Sequence, residues 1–139
     1  MSIEVNVTDN SGEILAALPE QIEAALEAVG IQAVSHAQQN ITAAGRVDTG
    51  ALRNSITHQV DMSENAVYVG TNNEYALFNE MGTGIYLEGG GGRTTPWSYQ
   101  DARGEWHTTR GMKPIHFLKN AVTDNVPEYR AIIEQHLKG

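Results

Sequence analysis

The stretch LPEQIEAALEAVGIQAVSHAQQNITAAG, residues 18–45, decides the fold. Its apolar residues recur every three or four positions, which is the repeat of one buried helix face. Pro19 suits a first helical turn and Gly45 suits a stop, so the sequence predicts one long helix between them. Gly30 in the middle of this helix predicts a kink or a close packing contact. The repeating positions are Leu18, Ile22, Leu26, Val29, Ala33, Ala37, Ile41 and Ala44.

Shorter segments on both sides of the long helix alternate between apolar and polar residues, as strands do. Residues 1–8 predict a strand, and residues 56–62 and 66–70 predict an antiparallel hairpin. A short helix is predicted up to Met81, and a C-terminal helical region begins at Pro114. Together these elements predict an α+β fold, in which the long N-terminal helix and the C-terminal helix pack on a small antiparallel sheet.

The composition restricts the possible functions. The 139 residues carry a formal charge of −8 and contain no cysteine. The length fits a single domain spanning residues 1–139. The absence of cysteine excludes a disulfide framework, a thiol nucleophile and a Cys-ligated metal. No apolar run is long enough to cross a bilayer and no signal peptide is recognised, so we expect a soluble protein made in a cytoplasm, without a membrane partner.

Charge is distributed unevenly along the chain. Residues 1–45 contain six acidic residues and no lysine or arginine, whereas cations dominate residues 93–119. This pattern has two interpretations: solvated surface charge, or two complementary faces that meet between copies in a head-to-tail assembly. The negative total argues against nucleic acid as the primary ligand. The cations are Arg93, Arg103, Arg110, Lys113 and Lys119.

Residues 84–111 show no regular periodicity and predict a flexible or partner-ordered loop, with a small hairpin centred on residues 102–104. The four glycines at 89–92 are not followed by the Gly-Lys-Ser/Thr of a phosphate loop. The loop also interleaves aromatic and basic residues, as in sites that stack single-stranded nucleic acid or in protein–protein hot spots. The net charge favours the protein–protein interpretation. These residues are Trp97, Tyr99 and Trp106 with Arg93, Arg103 and Arg110.

No enzyme or metal site is predicted from the spacing of polar residues. Ser55, His58 and Asp61 lie near one strand, but without the sharp turn that exposes a nucleophilic serine. Glu80 and Glu88 offer a carboxylate pair without a recognisable sugar cleft. None of the five histidines has the close spacing of metal ligands, although Glu105, His107 and His116 could converge through the loop. We therefore expect no cofactor, no metal and no catalysis.

An ordered set of short motifs covers much of the chain. They read VDTGALRNSI at 47–56, VYVGT at 67–71, EMGTG at 80–84, GMKP at 111–114 and FLKNA at 117–121. Over about residues 20–137 this set resembles the tail-completion or head–tail joining (minor tail component) family of long-tailed bacteriophages and prophages. Two departures are the methionine of EMGTG, where an aromatic residue is usual, and Pro127 within a helix that is often continuous.

The resemblance implies a structural virion protein at the neck or the top of the tail. It implies a six-fold ring of identical subunits, needed for tail completion and head–tail joining, with neighbouring neck and tail proteins as partners. The protein would then be found in the virion and, during assembly, in the host bacterial cytoplasm. The alternatives are a tail terminator or, in a different class, a small nucleic-acid-binding or hydrolytic domain that uses the basic–aromatic loop.

The resemblance also assigns motif or interface roles to particular residues. Asp48-Thr49-Gly50 is expected to form a capped turn, and Leu52 to anchor it in the core. Arg53 is expected to pair with Glu80. The complete set of candidates is Asp48, Thr49, Gly50, Leu52, Arg53, Glu80, Gly82, Thr83, Gly84, Arg93, Trp97, Trp106, Arg110, Gly111 and Met112.

Overall fold

The structure is a computed structural model that describes residues 3–8, 18–45, 50–73, 76–100 and 103–138. Its α+β arrangement with a long N-terminal helix confirms the predicted fold class. In chain order the elements are β1 (Ile3–Thr8), α1 (Pro19–Ala43), α2 (Ala51–Asn54), β2 (Thr57–Asp61), β3 (Ala66–Thr71), α3 (Ala76–Met81), a 3₁₀ turn (Gly84–Tyr86), β4 (Trp97–Gln100), β5 (Trp106–Thr109), α4 (Phe117–Thr123) and α5 (Val126–Lys138).

The main sheet has three antiparallel strands in the order β1-β3-β2. The predicted hairpin is confirmed: β2 and β3 pair from Thr57 opposite Gly70 to Asp61 opposite Ala66. Asp61 stabilises the turn, because its Oδ1 accepts hydrogen bonds from the backbone N–H and the hydroxyl of Ser63. The same bonds hold the pKa of the Asp61 carboxyl below its usual value. Strand β3 is central because β1 pairs on one side of it and β2 on the other, and four of its six residues are buried.

The hydrophobic core lies between the main sheet and the helices. Helix α1 packs on β2 and β3 and also contacts α4 and α5, so its alanine-rich face is buried by several neighbours. Burial of these side chains is the main stabilising term of the fold. The largest fully buried side chains are Phe117, Leu26, Ile41, Leu118, Val29, Val67 and Val69.

Gly30 marks a close contact rather than an empty position. The ring of His58, from β2, lies directly against it, and a Cβ at Gly30 would overlap that ring. The ring is held there by Glu27, whose Oε2 lies 2.7 Å from His58 Nε2. The prediction of a close packing contact at Gly30 is therefore confirmed.

The C-terminal region consists of two helices that meet at Asp124 and Asn125, before Pro127, which lies in the first turn of α5. The hydroxyl of Tyr129 donates a hydrogen bond to the carbonyl of Ala121 across this junction. Burial raises the pKa of Tyr129 far above its usual value, and the nearby Glu128 adds to this. In the described ranges, no helix is both long and apolar enough to cross a membrane.

Candidate functional site

Two predicted motifs that are far apart in sequence lie together in the structure. The backbone N–H of Thr83 donates to the carbonyl of Met112 at 2.9 Å, and the N–H of Met112 donates to Thr83 Oγ1 at 2.8 Å. A third bond runs from the N–H of Ile85 to the carbonyl of Arg110 at 3.1 Å. We call residues 84–111 the arm. The arm base comprises Gly82, Thr83, Gly84, Arg110, Gly111 and Met112.

Glycine is required at the arm base because two backbone segments touch there. A Cβ on Gly84 would overlap the carbonyl oxygen of Arg110, and a Cβ on Gly111 would overlap that of Thr83. Gly82 and Gly84 also have positive φ angles of 84° and 61°, which confirms the sharp turn predicted at these two positions. Gly92 contacts the carbonyl of Gly84 in the same way. Sequence reasoning missed this role, because Gly92 stands in a run of four glycines.

Glu80, just before the arm base, is a buried carboxylate with only 5% of its surface exposed. Its Oε1 accepts the backbone N–H of Leu118 at 2.8 Å and its Oε2 accepts that of Lys119 at 3.2 Å. These groups belong to the first turn of α4, where His116 stands in the N-cap position with φ 49° and no side-chain cap. Glu80 therefore caps α4 from a different helix, and its negative charge is favourable at that end.

The expected ion pair between Arg53 and Glu80 is wrong. Both carboxylate oxygens of Glu80 accept backbone N–H groups of α4, Oε2 also faces His116, and Arg53 is not among the partners of Glu80 in the described residues. Arg53 is exposed on α2, where its backbone carbonyl accepts a hydrogen bond from the side chain of Gln38. A cation and an acid within two family-like motifs do not imply contact between them.

The Asp48-Thr49-Gly50 turn is described only at its last residue. Asp48 and Thr49 lie outside the described residues, so their capping role stays a prediction. Gly50 occupies the N-cap position of α2 with φ 80°, a left-handed conformation that favours glycine. Leu52 is half-buried and packs against the core, as predicted.

His116 links the start of α4 to the arm. Its Nε2 lies 2.7 Å from Glu88 Oε1, and its Nδ1 lies 3.5 Å from Glu80 Oε2. The imidazole ring thus lies between the two carboxylates that the sequence offered as an acid–base pair. Sequence reasoning missed this bridge, because Glu88 and His116 are 28 residues apart and show no motif spacing.

The outer part of the arm contains the small hairpin that the sequence predicted. Strands β4 and β5 pair from Trp97 opposite Thr109 to Gln100 opposite Trp106. The guanidinium of Arg93 lies 5.5 Å from the centre of the Trp97 ring, a cation–π contact. Trp106 is 70% exposed. The expectation that the arm is flexible or ordered by a partner stays a prediction.

The alternative chemical sites do not assemble. Ser55 Oγ bonds the carbonyl of Leu52 and the Thr71 hydroxyl, whereas His58 bonds Glu27, so Ser55, His58 and Asp61 do not form a triad. Within the described ranges, no group of three or more potential metal ligands comes together. The glycine run leads into β4 instead of a helix, and thus offers no helix N-terminus to a phosphate.

The described residues form an α+β fold in which residues 84–111 make an arm that is closed at its base. The sequence profile of the family described as "Bacteriophage HK97-gp10, putative tail-component" matches residues 6–82, more than half of the chain. The chain belongs to this family and is a bacteriophage tail component, which confirms the resemblance seen in its motifs. The matched segment ends at Gly82, so the arm, α4 and α5 lie beyond it. Searches of curated proteins and of solved structures found no match.

Proposed function

We propose that this protein completes the phage tail at the neck and joins the tail to the head, by assembling with copies of itself into a ring. The observation that carries the proposal is the arm. Its two ends are joined to each other by the bonds between Thr83 and Met112, and its hairpin carries Trp106 largely exposed to solvent. Tryptophan is enriched at the centres of protein–protein interfaces.

The uneven charge supports a head-to-tail arrangement of subunits. A ring needs two different surfaces on each subunit, because each interface joins one face to another. Helix α1 carries acidic residues and no lysine or arginine, whereas residues 93–119 carry five cations and two acids, so the chain contains two regions of opposite charge. The six-fold symmetry follows from the family resemblance, and the proposed partners are further copies and the adjoining neck and tail proteins.

We propose that the protein acts by binding alone, in the virion after assembly in the host cytoplasm. The polar side chains that could perform chemistry are engaged in structural contacts. Glu80 caps α4, and His58 packs on Gly30. Neither a membrane nor nucleic acid is proposed as a primary ligand.

The experiment is deletion of the gene from the producing phage or prophage, followed by electron microscopy of the lysate. We expect DNA-filled heads beside tails that are complete in length but detached, with normal particles restored by a plasmid copy. Tails of abnormal length would instead indicate a tail terminator. Normal infectious particles from the deletion would refute the proposal.

A further inference from the structure

The imidazole of His116 has a carboxylate oxygen at each of its two nitrogens. Its Nε2 lies 2.7 Å from Oε1 of Glu88, which belongs to the arm, and its Nδ1 lies 3.5 Å from Oε2 of Glu80, which belongs to α3. Nδ1 is buried and has no hydrogen-bond partner within the described residues. The ring therefore lies between a carboxylate of the domain and a carboxylate of the arm.

A neutral imidazole cannot donate to both carboxylates. It carries one N–H and one lone pair, so either tautomer directs the lone pair at a carboxylate oxygen. An imidazolium carries an N–H on both nitrogens and places a positive charge between two negative ones. Among the described residues, His58 pairs with Glu27 and His36 with Glu128, so one N–H is sufficient for each of them. The ring of His116 satisfies both of its neighbours only in the protonated form.

The two carboxylates differ in their freedom to move. The side chain of Glu80 is only 7% exposed and accepts the backbone N–H groups of Leu118 and Lys119. The side chain of Glu88 is 44% exposed, so water can solvate its carboxylate when it leaves the ring. Repulsion by a neutral ring is therefore relieved by movement of Glu88 and His116, while Glu80 stays in place as the cap of α4.

The other charged groups around this ring are few. Within the described residues, its ion pairs are only those with the two carboxylates. The cations of its own chain segment, Lys113 and Lys119, are exposed, and the Lys113 ammonium lies 5.7 Å from the centre of the Tyr86 ring. Helix α1, which packs on α4, meets the start of α4 with the neutral amide of Asn40. The two carboxylates thus decide how the ring responds to pH.

We propose that His116 is a proton-dependent latch between the arm and α4. The protonated ring holds the first part of the arm, through Glu88, against the start of α4. When the ring loses one proton to solvent, Glu88 leaves it, whereas the hydrogen bonds between Thr83 and Met112 keep the arm base closed. Lower pH therefore favours the latched arm and higher pH the released one. The inference goes beyond the proposed function and does not depend on a role at the neck.

The first test follows the His116 ring and the arm in one NMR titration of the purified chain. Nitrogen-15 spectra of the imidazole report the protonation of each ring nitrogen between about pH 5 and 9. We expect the backbone amide signals of Glu88 and Gly90 to shift along the same curve as the ring. A ring that keeps one protonation state over this range, or arm amides that do not follow it, would overturn the latch.

Hydrogen exchange measures whether the arm is released. The N–H of Glu88 donates to the carbonyl of Met81 at 3.0 Å, so its protection factor, which is corrected for the pH dependence of intrinsic exchange, reports on the latched segment. We expect this factor to fall by about tenfold or more as the ring loses its proton. The N–H of Thr83, bonded to Met112 at the arm base, is the internal control and is expected to keep its protection. Equal loss at both amides would show general unfolding and contradict a local latch.

Two variants isolate the ring and the charge of the arm. His116→Asn removes the ring but keeps a residue type that tolerates the left-handed φ of 49°. Glu88→Gln, on an exposed side chain, supplies an amide that can donate to or accept from Nε2, so it pairs with either form of the ring. We expect the pH response of the arm amides to disappear in both variants and to persist in His36→Asn, the matched control. A response that persists in either of the first two variants would overturn the proposal.

Discussion

The arm base and the glycine turn of the arm contain the same residue type for different reasons. At the base, Gly84 and Gly111 have backbone atoms of the opposite segment where a Cβ would stand. At the turn, Gly89, Gly90 and Gly91 have positive φ angles but nothing within 4 Å of a Cβ. The base is thus specified by contact and the turn by backbone conformation alone. The comparison shows that the arm is tightly packed at its base, whereas the glycines of its turn have free space around them.

The largest expected effect comes from filling the crowded end of the arm. Gly84→Ala combines left-handed strain with overlap of a carbonyl, and we expect it to destabilise the protein by about 4 kcal/mol. Its matched control is Gly90→Ala, which has the strain without the overlap and is expected to cost about 1 kcal/mol. Urea unfolding followed by circular dichroism measures both. Equal losses of unfolding free energy in the two variants would show that the arm base and the glycine turn do not differ in this way.

Removal of the cap next to the arm base ranks second. Glu80→Ala leaves the buried N–H of Leu118 and the partly buried N–H of Lys119 without an acceptor, for an expected loss of about 3 kcal/mol in the free energy of unfolding. Glu88→Ala removes a half-exposed carboxylate that also contacts His116 and serves as the control, with an expected loss below about 1 kcal/mol. The same urea titration compares the two. A small loss for Glu80→Ala would show that α4 does not depend on this cap.

Gly30 is a third crowded glycine and lies in the core. It tests, away from the arm, whether close contact is the reason for glycine at a position. Gly30→Ala gains helix propensity but meets the ring of His58, which Glu27 holds in place, so we expect a net loss of about 1–2 kcal/mol. In a His58→Gly background both the ring and the Cβ that crowd Gly30 are gone. The same Gly30→Ala change should then stabilise the protein by up to about 1 kcal/mol. A double-mutant cycle measured by thermal unfolding checks this change of sign.

The smallest expected effect concerns pH and lies in α5, far along the chain from the arm. The pKa of Tyr129 is raised in the folded protein, so its neutral form contributes stability at neutral pH. Above about pH 10 the unfolded chain loses this proton while the folded chain keeps it. Stability then falls by about 1.4 kcal/mol per pH unit from this group.

The variant Tyr129→Phe isolates this contribution. It should be less stable at pH 8, because the hydrogen bond to Ala121 is lost, but its stability should fall less steeply between pH 10 and 11. Urea unfolding at the two pH values measures both slopes. Equal slopes would show that Tyr129 ionises as readily in the folded chain as in the unfolded one.

Local sequence patterns predict most helices and strands of the domain but few of the contacts that build the candidate site. The helix from Pro19 and the hairpin of β2 and β3 follow from periodicity and turn residues, which act over short stretches of chain. The cap that Glu80 provides for α4 depends on contacts between residues 38 and 39 positions apart. No spacing rule reports such a contact, and the expected pairing of Glu80 with Arg53 rested only on the presence of one acid and one cation in two family-like motifs.

The arm falls between these two cases. The short segments around Trp97 and Trp106 predict its hairpin. The glycines at positions 82 and 84 predict the sharp turn at its base. The hydrogen bonds between Thr83 and Met112 could not be predicted. The residues between them show no helix or strand periodicity, so the sequence does not indicate the distance between the two ends of the segment. The close contact of Gly92 with the carbonyl of Gly84 could not be predicted for the same reason.

Both tryptophans of the chain, Trp97 and Trp106, are in the arm hairpin. Intrinsic fluorescence therefore reports on that hairpin, whereas circular dichroism in the far ultraviolet reports mainly on the helices of the domain. An exposed indole emits at long wavelength, so burial of Trp106 against any surface would shift the emission to the blue. Fluorescence can thus follow association of the unlabelled protein, while circular dichroism of the same sample reports separately whether the domain is folded.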